Sequence, residues 1–292
     1  MRKKIANGTQ LASQSWQALR QNPQLLMFPV ISTIGLIIVS ILFFVPLASI
    51  GGSNPENLIG ENGSVNFGTV VVLFLYYFAT YTVIIFSNVA LVGAVFKLMR
   101  GEPATVRDGL NIASARLGKI LIYALISATV GVLARMIRES GRDSKNVVLM
   151  ILAAILGAIL QGTWNLLVFF AIPIIVAEDV SVMDSMKRSL EMFKRTWGES
   201  FIGSTAIGIA SCLVWLAILV VGGAIIFLAV STGSIIVIVA AVLLVVLAFA
   251  ILSLINGAIN GVFQASLYKF ATEGEAGPFI DTALAREAFA GA

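Results

Sequence analysis

Six side-chain amides lie within the long apolar runs of this sequence at about 68–96, 147–177 and 235–268: Asn88, Gln161, Asn165, Asn256, Asn260 and Gln264. In hydrocarbon an amide finds no solvent partner, and leaving one unpaired costs a few kcal/mol. Their positions are ordered along the chain. Asn88 precedes Lys97 by nine residues and Asn260 precedes Lys269 by nine, while Asn165 precedes Glu178 by thirteen and Asn256 precedes Lys269 by thirteen. On helices rising ~1.5 Å per residue, these four lie roughly 13–20 Å from the charged end. Gln161 is one turn above Asn165, and Gln264 one turn below Asn260. Amides so placed can bond neighbouring helices together, or they can line a polar path for water, ions or a lipid headgroup. Beside the last three runs a second stripe, Ser253, Gly257, Gly261 and Ala265, whose small residues admit another backbone.

Other chemistry is short of reagents. The chain has no histidine and a single cysteine, Cys212, and no acidic residue lies deep inside a long apolar stretch. Zinc, haem, iron–sulfur and Ser–His or Cys–His catalysis therefore lack their usual ligands and bases. No cofactor, no metal and no enzymatic activity are expected. A lipid-modifying enzyme would want an acid near the membrane surface, and Asp179 and Asp184 fall where helix N-termini take acidic caps. A phosphate-binding loop for ATP is missing, and no ionisable group lies within a span to couple protons. Sodium coupling through carbonyls and amides stays open. Cys212 reads as a small core residue that cannot form an intrachain disulfide.

The elements that must position the amides follow from composition. Of 292 residues 59% are hydrophobic and 12% charged, with a mean hydropathy of +0.98. Globular chains carry about 45–50% apolar and ~25% charged residues, so this surface is built for a bilayer. Residues 21–55, 62–96, 146–177 and 200–268 contain no Asp, Glu, Lys or Arg. One crossing takes about 20 residues, so the last window must turn back, and Ser231-Thr232-Gly233-Ser234 is the natural place. The reading is an all-α polytopic membrane protein, one integral membrane domain over 1–292. Its six transmembrane helices run at about 25–48, 68–96, 118–138, 147–177, 201–230 and 235–268. The third has the least support, because only the residues between Lys119 and Arg135 are charge-free. Twenty mostly polar residues separate Met1-Arg2-Lys3-Lys4 from the first apolar run, which favours a retained anchor over a signal peptide.

With six spans, the two termini and the 97–119 and 178–199 loops share one side with fifteen of the nineteen basic residues. The other side holds Arg135, Arg138, Arg142 and Lys145, whose arginines read as a headgroup anchor or an anion-attracting vestibule. Both termini are therefore predicted cytoplasmic, and topology accounts for the net charge of +4 without nucleic acid.

The basic segments read as amphipathic helices at about 5–22, 103–117, 180–197 and 278–291. In the clearest, Met183, Met186, Leu190, Phe193 and Trp197 recur at helical spacing opposite Asp184, Lys187, Arg188, Glu191, Lys194 and Arg195. Val106, Leu110, Ala113 and Leu117 form a weaker face opposite Arg107 and Arg116, and Ile5, Ala12, Trp16 and Leu19 a third. Such helices lie in the headgroup plane or dock a partner. Glu102, Thr105, Val106 and Asp108 recur 76 residues on as Glu178, Ser181, Val182 and Asp184. Val95-Phe96-Lys97 with Gly101-Glu102 is echoed by Leu267-Tyr268-Lys269 with Gly274-Glu275. The implied unit is amphipathic helix, span, span, used three times. Pro173 predicts a kink in the fourth span, and Trp164 beside Asn165 can stack or donate a hydrogen bond.

Several segments carry a resemblance. Ala115-Arg116-Leu117-Gly118-Lys119-Ile120 running to Ala128-Thr129-Val130-Gly131, with Phe169-Phe170-Ala171-Ile172-Pro173 and Thr196-Trp197-Gly198-Glu199, resembles an uncharacterised family of prokaryotic multi-pass membrane proteins. This is the domain of unknown function numbered sixty-one fifty-nine. The opening Trp16, Pro23, Phe28 and Pro29 and the closing Tyr268–Glu273 stretch extend the likeness over nearly the whole chain. It implies a fold and a cell-membrane location and brings no reaction. The expected role is a membrane scaffold bound to lipids and docking a protein partner or a second copy. The alternative is a passive channel or transporter for a small solute or ion.

Overall fold

The computed structural model describes residues 2–51, 67–142, 147–197 and 220–289. Among these every regular element is helical. In chain order they are α1 (Arg2–Gln21), a 3-10 turn (Pro23–Leu26), α2 (Met27–Gly51), α3 (Phe67–Met99), α4 (Val106–Ser114), α5 (Leu117–Arg142), α6 (Val147–Phe169), α7 (Ala171–Glu178), α8 (Val182–Trp197), α9 (Val220–Ser231), α10 (Ile235–Glu273) and α11 (Thr282–Phe289).

Five helical segments are long and apolar enough to cross a membrane: Pro23–Pro46, Phe67–Met99, Leu117–Ile137, Met150–Glu178 and Ile235–Glu273. The segment with the weakest sequence support, 118–138, is thus a continuous helix. The expected span over 201–230 is described only from Val220, and Cys212 lies outside the described residues. Helix α9 stops at Ser231, where Gly233 takes a left-handed φ of 68° and α10 begins two residues later. The turn therefore falls where the sequence placed it.

Burial is uneven along the bundle. The core gathers at the basic end, where Val89–Val92 of α3, Ile172, Ile175 and Val176 of α7 and Ala258, Val262 and Ala265 of α10 meet Leu19, Leu25 and Phe28. Toward the other end the helices present apolar surface outward. Ile41 is 65% exposed, Phe44 70% and Leu247 61%. Water would penalise such a surface at roughly 25 cal/mol per Å², whereas acyl chains solvate it at no cost.

Close approach at the basic end depends on two glycines. A Cβ on Gly261 would collide with the Leu91 side chain of α3, and one on Gly109 would run into Phe28 and the Ala90 carbonyl. Gly261 lets α10 lie against α3, and Gly109 lets α4 sit down on α2 and α3. Three members of the small-residue stripe, Gly257, Gly261 and Ala265, face this interior: Gly257 lies against Pro29, and Ala265 is fully buried. Ser253, the fourth, is exposed.

Gly261→Leu should lower the thermal stability of the detergent-solubilised protein by about 1–3 kcal/mol, the usual cost of overpacking. Gly162→Leu, with nothing near its Cβ position, should leave it unchanged. Equal melting of the Gly261 variant and the parent would show that this stripe faces lipid.

Candidate functional site at the basic end

Helix α7 ends the long apolar segment Met150–Glu178, and its last carbonyls have no partner within the helix. Arg116, in the turn between α4 and α5, supplies one. Its guanidinium donates from Nε to the Ile175 carbonyl (3.2 Å) and from Nη2 to the Val176 carbonyl (2.9 Å), while Nη1 reaches back to Ile112 at 3.2 Å. A cation is favoured there because the helix dipole leaves partial negative charge at that end. One turn on, Lys119 donates to the Asp179 carboxylate at 2.7 Å and to its carbonyl. Asp179 closes α7 at φ 52°, a left-handed value that Asp adopts more readily than most residues. The Lys119 hydrogen bond and charge, then Arg116 at 3.8 Å, hold its carboxyl below the ordinary range.

Two further nodes tie in the other elements. Glu178 accepts a hydrogen bond from the Tyr268 hydroxyl of α10 at 2.9 Å and pairs with Arg188 of α8. Asp108 of α4 accepts from the Thr105 backbone N–H at 2.8 Å and lies 3.2 Å from Lys97 of α3. The Thr105 hydroxyl accepts from the Asp108 N–H, completing a capping box. The Thr105 backbone bond, then its hydroxyl, then Lys97 lower the Asp108 carboxyl to about 2. Ser181 and Asp184 repeat half of this arrangement at α8, with Asp184 N–H donating to Ser181 Oγ at 3.1 Å. Asp281 caps α11 through the Leu284 N–H at 2.8 Å. Asp179 and Asp184, the two acids weighed for catalysis, are thus held in an ion pair and a helix cap.

The kink expected at Pro173 takes the form of a break at Phe170, whose φ of −103° and ψ of 1° separate α6 from α7. Proline is tolerated three residues later because it sits in the first turn of a new helix. The broken step is bridged by Ser189 of α8, whose hydroxyl donates to the Leu166 carbonyl and accepts from the Phe170 N–H, each at 3.0 Å.

The structure rearranges the residues singled out in the sequence. Of the apolar face of α8, Met186 and Phe193 are buried inside the protein, Leu190 is half-buried and Met183 is 55% exposed. The inward face is Val182, Ser185, Met186, Ser189 and Phe193, so α8 packs on α6 and α7. The side chain of Trp197 lies outside the described residues. The amides do not converge. Gln161 donates to Asn165 at 2.9 Å along α6, with both exposed; Asn260 is exposed, and Asn88, Asn256 and Gln264 are half-buried. Among the described residues, no hydrogen bond joins an amide of α6 to one of α3 or α10. Sequence reasoning missed the part Ser189 plays. Its signal was available, since Ser185 and Ser189 lie one turn apart beside Met186 and Phe193. It also set Arg116 opposite the apolar face of α4, whereas its guanidinium turns inward to α7.

Asp108 ionises more readily folded than unfolded, so its contribution is complete above its ordinary value of 3.8 and disappears as pH falls through about 2. Asp108→Asn should therefore melt below the parent at neutral pH, and the gap should close between about pH 4 and pH 2. A gap that persists at the acid limit would assign the loss to something other than the carboxylate.

No curated protein matches the chain. Residues 67–279, running from the start of α3 to just before α11, match a family described as Family of unknown function (DUF6159). Coverage on that scale takes in the three-node collar and the Gly261–Leu91 contact, and the chain belongs to this family.

Proposed function

We propose that the protein is a non-enzymatic scaffold of the cytoplasmic membrane. On this reading six spans form three amphipathic helix–span–span units with both termini cytoplasmic. The amphipathic helices bind lipid and offer their outward faces to a protein partner or a second copy. Three observations support the topology. The Asp281 N–H donates to Gln14 Oε1, which joins the segment before α11 to α1 and asks for an even number of crossings. The three long exits, after α3, α7 and α10, each carry a left-handed residue: Gly101, Asp179 and Gly274. Fifteen of the nineteen basic residues fall at the end where these exits meet.

The observation that carries the scaffold reading is the collar itself. Helices α4 and α8 are bonded through side chains into the ends of the spans, so their orientation is fixed. A surface held this rigidly suits docking, because little ordering entropy remains to be lost on binding. The channel alternative draws on the exposed mid-depth amides Gln161, Asn165 and Asn260, which hydrocarbon cannot solvate.

Two experiments test this. Liposomes carrying the purified protein should show no flux of ions, water or small neutral osmolytes, and neither should a folded Asn256→Leu/Asn260→Leu/Gln264→Leu variant. Flux in the parent that vanishes in the variant would establish a conduit. For the α8 face, Met186→Ser or Phe193→Ser should cost roughly 2–5 kcal/mol of stability, as core truncations do. Met183→Ser should stay within about 0.5 kcal/mol, and a fluorophore at residue 183 should report an interfacial depth. A label fully in water would remove lipid contact from the proposal.

A further inference from the structure

Between the ends of α3 and α10 lies a half-open cleft of about 330 Å³. Its charged lining is Arg100, Arg116, Lys269 and Glu273; Arg100 is also paired with Glu102 at 3.1 Å and Arg116 lies 3.8 Å from Asp179, which leaves Lys269 as the least neutralised cation. Phe96, Met99 and Ile112 make an apolar wall. The level is set by the sequence. Lys97 and Lys269 are the first charges after charge-free runs of span length, so the cleft opens where headgroups lie.

The cations retain donors. The side chain of Lys269 is only 24% exposed, yet its nearest carboxylate, Glu273, is 3.7 Å away. Among the described residues its ammonium donates no hydrogen bond, which leaves three N–H groups for a ligand. Arg116 spends three of five N–H groups on carbonyls and keeps two. The helix dipoles place partial negative charge at these ends, so the cations must outweigh it, and several of the last carbonyls are already engaged. Arg100 N–H bonds Phe96, Gly101 N–H bonds Leu98, and Gly274 N–H bonds Phe270.

We propose that this cleft binds the phosphate of an anionic amphiphile, with Lys269 as the principal contact, Arg100 and Arg116 beside it, and the apolar wall against the ligand's chain. Basic pockets between spans at the headgroup level take phospholipid headgroups by this combination of charge and apolar contact. The volume is at the low end of the ~300–1,000 Å³ typical of ligand sites. The inference goes beyond the scaffold reading and does not depend on it.

The test uses the full chain in phosphatidylcholine nanodiscs, titrated with phosphatidylglycerol and, separately, with inorganic phosphate, with binding read by native mass spectrometry and thermal shift. Phosphatidylglycerol should bind and raise the melting temperature. Lys269→Gln should weaken binding about tenfold, the loss of one charge-assisted hydrogen bond. Lys187→Gln, which removes the same charge from the exposed face of α8, should leave it unchanged. Should Lys269→Gln fail to fold, Arg100→Gln, on a largely exposed side chain, serves in its place with a smaller loss. Lys269-dependent binding of inorganic phosphate alone would support the site with a free phosphate as its source. Equal weakening by Lys187→Gln would reduce the effect to general surface attraction and overturn the proposal, as would no binding in the parent.

Discussion

Long apolar helices that stop at the edge of hydrocarbon leave carbonyl groups with neither a helical partner nor full access to water, and this protein is organised around satisfying them. At α7 the Arg116 guanidinium takes two of the three carbonyls it reaches, and it comes from a different part of the chain. At α3 and α10 the backbone turns back on itself, and the N–H groups of Arg100, Gly101 and Gly274 do the same work. The three ends are then drawn together by Lys97–Asp108, Lys119–Asp179 and the Tyr268–Glu178–Arg188 relay. Because Lys119–Asp179 and Tyr268–Glu178 cross between elements distant in sequence, they fix which helices are neighbours where lipid-like apolar packing alone is indifferent.

This arrangement concentrates order at one end. The basic half of the bundle holds the buried core and the glycine contacts, while the opposite half relies on lipid to cover its exposed isoleucines, leucines and phenylalanines. Polar side chains divide in the same way. Those of the collar are paired across elements, whereas the mid-depth amides are spread over separate helices, with Gln161 and Asn165 satisfying each other on one of them. The chemistry of the chain therefore belongs to its headgroup-level surface more than to its interior.

What could be read in the sequence is what depends on local pattern. Charge-free length located four of the five helices long and apolar enough to cross a membrane and the Ser231–Ser234 turn, and the fifth, over Leu117–Ile137, was legible despite Lys119 and Arg135, because hydropathy acts over a short window. The Thr105/Asp108 and Ser181/Asp184 echoes proved to be caps at the starts of α4 and α8, another local signal. The orientation of α8 was harder. Its spacing admits an apolar stripe through Met183 as readily as one through Val182, and only packing against α6 and α7 selects the second, with two serines inside it. Arg116 illustrates the same limit. Nothing near it in sequence announces the carbonyls some sixty residues away that it serves.

The bridge made by Ser189 has a consequence for biosynthesis. The Phe170 N–H is translated 19 residues before the hydroxyl that will hold it. Until then its available partner is the Leu166 carbonyl, the one an unbroken helix would use. The bend between α6 and α7 is therefore held by a bond that can form only once α8 has been made. The geometry of this apolar segment thus rests on a helix that follows it in the chain.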